Sequence, residues 1–456
     1  MAHPQMNQPL DKKGVALFFS LPVLAWALYD LANTIFSMNV VSRYFPRLVT
    51  DTFGAEDLVF SIAVSLSMAL VALLSPVLGV LIDVRGRKKP YVTGFTLVCL
   101  LATAAIGLIG SLLGTHSLIL PILLALFVVA NFTFNSSLIF YNAQLADIST
   151  RENMGRVSGW GVGLGYVGTI IGLLSIEPFV TGKVPGWLQS LLLLNPVEAG
   201  AKTGDYFNAF VPTALLFLIF SLPLFFFVKD RPQAVGATQE RGSIWKIGYT
   251  RVWKTFKEAR NYGGLFMFLL ANFCFTDAIN TVIAFMSIYA QDVMGLTDSQ
   301  LTMFLLVATA FAVIGSFAIG FVTDRIGSKK TIYSVLALWV VALIIASTAA
   351  SMPMFWVTGI LIGIGMGSTW VSTRTMIIEL SPPEKRGEFF GLFSLSGKVS
   401  AIIGPLVWGI TTYLLRDYGT IGSRIAILTL LIFILLGAWL MRYVPDLSKD
   451  KKNTSL

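Results

Sequence analysis

Charge, histidine and cysteine are what this sequence has least of. Only 12% of its 456 residues are charged while 55% are apolar, and mean hydropathy is +0.76. Soluble domains carry about 25% charged residues, so an ordinary soluble protein is excluded and a polytopic membrane protein is implied. The two cysteines, Cys99 and Cys274, lie in separate apolar runs, which argues against a disulfide framework or a cysteine metal centre. The two histidines, His3 and His116, fall at the periphery of the runs, so any proton relay must rest on carboxylates. No ATP motif, metal cluster or nucleophile–base arrangement is present, so neither an enzyme nor a resident metal or cofactor is expected. The first sixteen residues are polar, and no small-residue cleavage site follows a short apolar core. The first run therefore reads as a retained span rather than a signal peptide.

What the chain has is apolar runs of membrane-crossing length. They predict spans near 17–44, 58–82, 90–111, 117–145, 157–179 and 209–228, then 263–290, 300–323, 331–350, 353–378, 388–415 and 421–444. With an even span number and both termini inside, 26 of the 33 Lys and Arg fall on the inner side, six outside and one, Lys398, within the membrane. That bias is the one expected of inner loops, so the +9 charge reports orientation and not nucleic-acid binding. The expected fold class is an all-α membrane protein, a monomer in a lipid bilayer. A prokaryotic cytoplasmic membrane, with both termini cytoplasmic, is the expected location. Three units are read: a six-helix half over 1–228, a linker over 229–262, and a second half with its tail over 263–456. In the linker Trp245, Tyr249, Trp253 and Phe256 recur at helical spacing among Lys246, Arg251, Lys254 and Lys257. An amphipathic helix on the inner membrane surface is expected there, a calmodulin-type target being the sharper alternative. The outer loop 180–208 contains an apolar stretch after Trp187 that is too short to span and is expected to dip into the interface or cap the outer mouth. The tail from Lys449 is expected to be disordered.

The halves repeat. Asp30, Asn33 and Thr34 match Asp277, Asn280 and Thr281, and Gly79, Asp83, Gly86, Lys88 and Lys89 match Gly320, Asp324, Gly327, Lys329 and Lys330. Glu152, Gly155 and Gly159 match Glu384, Gly387 and Gly391 in the same order. Two parallel six-span halves about an axis along the membrane normal follow.

Asp30 and Asp277 each lie about thirteen residues into their runs, near the middle of a ~30 Å hydrocarbon layer at ~1.5 Å per residue. A charge at that depth is expensive and marks a pathway by default. Burial and a second carboxylate nearby would let either exchange a proton near neutral pH. With Asn33 and Asn280 they could instead offer oxygens to a small cation, or simply pack helices. Lys398 sits at similar depth and must pair, deprotonate or face water; a resident pair with Asp277 and a bond to a cargo carboxylate are both open. Asn131 and Asn135 share one face of span 4, with Tyr141 and Asn142 further in. On span 10, Trp370 is a candidate cargo contact and Arg374 is expected to contact cargo or pair with Glu379. Glycines crowd spans 5 and 11, where they permit close sliding or tight packing.

The loop Gly79-Val-Leu-Ile-Asp83-Val-Arg85-Gly86-Arg87-Lys88-Lys89 resembles the signature loop of the major facilitator superfamily, and Gly320-Phe-Val-Thr-Asp324-Arg325-Ile-Gly327 resembles its second copy. Val84 stands where that loop carries a base, with Arg85 one place later. The resemblance covers essentially the whole chain. It implies that Asp83 latches onto the start of span 11 near Gly387, and Asp324 onto the start of span 5 near Gly155. Glu152, Arg156, Glu384 and Arg386 complete the expected gate. It also makes spans 1, 4, 7 and 10 the cavity lining. Trp26-x-x-Tyr29-Asp30-x-Ala32-Asn33 is similar to the start of the vacuole effluxer-like branch, relatives of autophagy-related vacuolar amino-acid effluxers, and brings Trp26 and Tyr29 into the candidate site. The function this implies is proton-coupled alternating-access transport of a small amphipathic or zwitterionic solute, with amino-acid export the specific expectation. A multidrug exporter and a transport-inactive receptor or scaffold remain the alternatives.

Overall fold

The structure, a computed structural model, describes residues 15–55, 57–116, 118–195, 205–230, 250, 264–400 and 403–446. In a lipid layer each backbone N–H and C=O must find its partner within the segment, so the apolar runs fold as helices. Twelve are long and apolar enough to cross a membrane: α1 Leu21–Thr52, α2 Val59–Arg85, α3 Lys89–Leu113, α4 Ile119–Ile148, α5 Met154–Val180, α6 Tyr206–Phe227, α7 Leu265–Met294, α8 Met303–Ile326, α9 Ser328–Thr348, α10 Met352–Leu380, α11 Pro383–Leu414 and α12 Thr420–Tyr443. Local signals set many ends. Pro22 opens α1 after Ser20, left-handed Gly295 stops α7, and a reciprocal Thr297–Gln300 capping box starts the next helix.

The expected spans match these helices to within five residues, except at the outer end of α1. That helix runs on past Tyr44 to Thr52, because Ser37–Tyr44 and Leu48–Thr52 wind with the wider i→i+5 turn instead of stopping. The amphipathic linker helix and the tail after Lys449 lie outside the described residues. Of the 180–208 loop, the described part holds a short helix, Gly186–Leu191, with Trp187 and Leu191 exposed.

Packing follows the repeat. α1 packs on α5 and α6, and α7 packs correspondingly on α11 and α12. Contacts between halves come in equivalent pairs: α2 with α11 and α8 with α5, α4 with α11 and α10 with α5. α5 divides its glycines between two faces. Gly155 and Gly159 meet the backbone of Gly320 and Ser316 on α8, whereas Gly165, Gly168 and Gly172 lie against Asp30, Leu31 and Ile35 on α1. On α11, Gly387 and Gly391 meet Gly79 and Ser75 of α2. The backbones of the two halves therefore touch toward the face that carries the α2–α3 and α8–α9 turns. Large apolar side chains such as Leu101, Leu174 and Ile432 point outward, as a lipid-facing surface requires.

Candidate functional site

At the turn-bearing face each expected latch is a carboxylate fork across the halves. Asp83 accepts from the backbone N–H groups of Gly387 and Glu388, both at 2.8 Å. Asp324 accepts from Gly155 N at 2.7 Å, Arg156 N at 3.2 Å and Arg156 Nε at 2.7 Å. Amides in the first turn of a helix have no intrahelical acceptor, and the helix start carries partial positive charge, so a carboxylate there satisfies both. Gly79 and Gly320 permit the approach: a Cβ at Gly320 would lie 2.7 Å from the Gly155 carbonyl oxygen.

Other expected gate residues stand apart. Arg85, Arg87, Arg325, Glu152 and Glu384 are exposed. Gly86 and Gly327 serve their turns with positive φ, and Arg386 is half-buried with its Nε unbonded among the described residues. A buried ion pair at this face lies within the first half: Lys88, 1% exposed, donates from Nζ to both carboxylate oxygens of Asp147 at 2.8 and 2.7 Å. Sequence reasoning treated Lys88 as a headgroup base and passed over Asp147 at the end of α4. Removing one member of such a pair strands a buried charge at a cost of about 3–5 kcal/mol. Lys88→Met should accordingly lower the melting temperature sharply, and Lys88→Met/Asp147→Leu should recover most of it; thermal unfolding in detergent compares the two.

A cavity of about 520 Å³ lies between the halves. Its lining comes from α1, α4, α7 and α10, as expected, with α11 and one residue of α2 added. Asp30, Asn33, Asn131, Asn135, Asn280, Trp370 and Lys398 of the expected site face it. Asn272 and Thr276 were overlooked, although with Asn280 they form a polar stripe at spacing four on α7.

Two expectations do not hold. Asp277, 0% exposed, is absent from the cavity wall, so the symmetric pair of central carboxylates is not formed. Its carboxylate lies toward the amides of Ile403 and Gly404 on the outer part of α11 without reaching full hydrogen-bond geometry. Asp30 on the equivalent helix α1 faces the cavity and Arg374 instead. Arg374 lines the cavity, the first of its two expected places; its Nη1 binds Asp30 Oδ2 at 3.2 Å across the halves, and its guanidinium lies over Trp26 and Tyr141 at 5.3 and 5.6 Å. Second, Trp26 and Tyr29 are buried inside the first half and do not line the cavity. Trp26 stacks on Tyr141 at 4.6 Å, and the Tyr29 hydroxyl bonds Thr96 and Ser137, because they lie on the face of α1 turned toward α4 and α6.

Lys398 is not paired with Asp277 either. Its Nζ donates to Asn135 Oδ1 at 2.5 Å, Asn135 Nδ2 donates to Asn131 Oδ1 at 3.0 Å, and Asn131 Nδ2 donates to Ser67 Oγ at 2.7 Å. Three carboxamide and hydroxyl dipoles thus run in one direction, with the acceptor end on the ammonium.

A half-to-half cavity above two matched carboxylate latches, built on two six-helix repeats, is the arrangement of a major facilitator. The family model described as "Vacuole effluxer Atg22 like" matches residues 56–455. The chain belongs to the Atg22-like vacuole effluxer family. Among the relatives of this Atg22-like chain is an MFS-type transporter of Bacillus subtilis, YxiO, 28% identical over 92% of this chain and 94% of that one. Autophagy-related protein 22-1 of Neosartorya fischeri is 26% identical over 65% of this chain, which spans about half the length of that relative. In structure it resembles the proton:xylose symporter XylE, with TM-score 0.71, 11% identity and coverage of 95% and 97% of the two chains. It also resembles FucP in its outward conformation, with TM-score 0.70, 13% identity and coverage of 94% and 99%. The Atg22-like chain is a multi-pass membrane transporter of the major facilitator type, and its relatives are transporters rather than enzymes.

Proposed function

We propose that this Atg22-like transporter exports a small amphipathic or zwitterionic solute, amino acids in particular, by proton-coupled alternating access. The observation that carries the reading is the Asp30–Arg374 pair lining the cavity between the halves, in a state whose turn-bearing face is latched by Asp83 and Asp324. That face is the cytoplasmic one under the inner bias of Lys and Arg, so both termini lie in the cytoplasm. The latched state is then the one in which cargo meets the outside, and release of both forks turns the cavity inward. Cavity polarity favours a polar solute over lipophilic drugs: carboxamides and three charged groups face it. The family name supports export.

Coupling rests on Asp30. A proton on its carboxylate removes the attraction that holds Arg374 across the halves, so protonation and the change of access are linked. The test is accumulation of radiolabelled leucine by the monomeric chain in proteoliposomes under an imposed pH gradient, with a lipophilic cation as control. Wild type is expected to accumulate leucine and not the cation. Asp30→Asn is expected to lose gradient-driven accumulation about tenfold or more while equilibrium exchange of leucine continues, since only the proton-linked step is removed. Preference for the cation would favour a drug exporter, and binding of leucine without any exchange would favour a receptor.

A further inference from the structure

Resting on the reading of this cavity as the transport site, we infer that it selects its solute by a carboxylate, bound at Lys398, and does not require an ammonium group. The charge inventory of the wall leads there. Three charged residues line the cavity, Asp30, Arg374 and Lys398. Asp30 and Arg374 neutralise each other at 3.2 Å, and their side chains are only 14% and 13% exposed. No free carboxylate therefore remains among the described lining residues to receive a solute amine.

Lys398 is the charge left over. Its one described partner is the neutral Asn135, and that amide is held with its oxygen toward the ammonium by the chain through Asn131 to Ser67. An ammonium has three donors, so two remain for a ligand, and the Asn135 oxygen fixes the direction of the third. A second group belongs to the same cavity wall. Asn33 faces the cavity, is 4% exposed, and neither its Nδ2 nor its Oδ1 has a partner among the described residues. A buried carboxamide left unpaired is costly, and a ligand carrying both an acceptor and a donor would satisfy it. Phe134, Leu138, Phe390 and Phe393 supply an apolar wall for the solute's body. The class that fits is a small organic monocarboxylate with an apolar tail and one further polar group: an amino, hydroxy or keto acid alike.

Three probes of one carbon skeleton separate the possibilities in thermal-shift titrations of the purified full chain. Leucine keeps both groups, 4-methyl-2-oxopentanoate exchanges the amine for a keto oxygen, and leucinamide keeps the amine but loses the carboxylate. Both acids are expected to stabilise the protein, with half-maximal concentrations within about threefold of each other, and leucinamide is expected to do nothing. Lys398→Gln should weaken both acids about tenfold or more, and Lys398→Arg should keep most of the response, which shows that the loss is of charge and not of fold. Stabilisation by leucinamide equal to that by leucine overturns the inference. So does leucine acting where the keto acid fails, or silence from both acids. Carboxylate-selective binding without counterflow of either acid leaves the anion site standing and removes the transport reading instead.

Discussion

Gly155→Val is expected to reduce exchange by about tenfold or more by denying the chain its latched state. At that position a Cβ would come within 2.6 Å of the Gly320 carbonyl oxygen, 2.7 Å of Asp324 Oδ1 and 2.9 Å of Thr323 Cβ. Two of those atoms are backbone or part of the latch itself, so they cannot yield by a simple rotamer change. α5 and α8 must move apart, and the Asp324 fork loses the geometry it needs with Gly155 and Arg156. The matched substitution Gly387→Val acts on the other latch, where a Cβ would press on the Gly79 carbonyl oxygen and lie 2.9 Å from Asp83 Oδ1. Spin labels at the exposed positions 87 and 325 would report the outcome directly. Both variants should lengthen the distance between the two turns while the protein remains monodisperse, and an unchanged distance would mean that the glycine contacts are not what brings the halves together.

Arg374→Met is the second substitution with a large expected effect. It leaves the Asp30 carboxylate against Gly161 and Gly165 of α5 and near the hydroxyls of Tyr141 and Tyr166, with no second cation described within reach of it. Stranding a largely buried charge costs about 3–5 kcal/mol, whereas removing both charges together costs far less. The single variant should melt several degrees lower and lose exchange, and Asp30→Asn/Arg374→Met should regain most of the melting temperature without regaining transport. A double-mutant cycle on thermal unfolding measures the coupling. Equal losses in the single and double variants would show that the two residues act independently. Transport regained along with stability would remove the pair from the coupling step.

Much of this molecule was open to reading in one dimension. Hydropathy located the twelve helices, since a span must be long, apolar and self-satisfied in its hydrogen bonds. The resemblance of the Asp83 and Asp324 loops to a signature loop implied latches on the helix starts at Gly387 and Gly155, and the structure displays them as carboxylate forks, since an acid there satisfies amides that lack an intrahelical acceptor. The central charges were another matter. Asp30 and Asp277 occupy matching places in matching helices, yet one faces the cavity and the other lies toward the amides of Ile403 and Gly404. Lys88 and Asp147 are 59 residues apart and were invisible as a pair, as were Asp30 and Arg374 at a separation of 344.

The sequence alone therefore determined how many helices there are, how the halves correspond and which residues occupy their inner ends, since those follow from periodicity, length and local spacing. Which charge meets which was decided only by the tertiary structure. A buried ionic group takes the nearest partner its neighbours leave free, so Asp30 meets Arg374 across the halves while Asp277, its equivalent, lies toward the α11 backbone at Gly404.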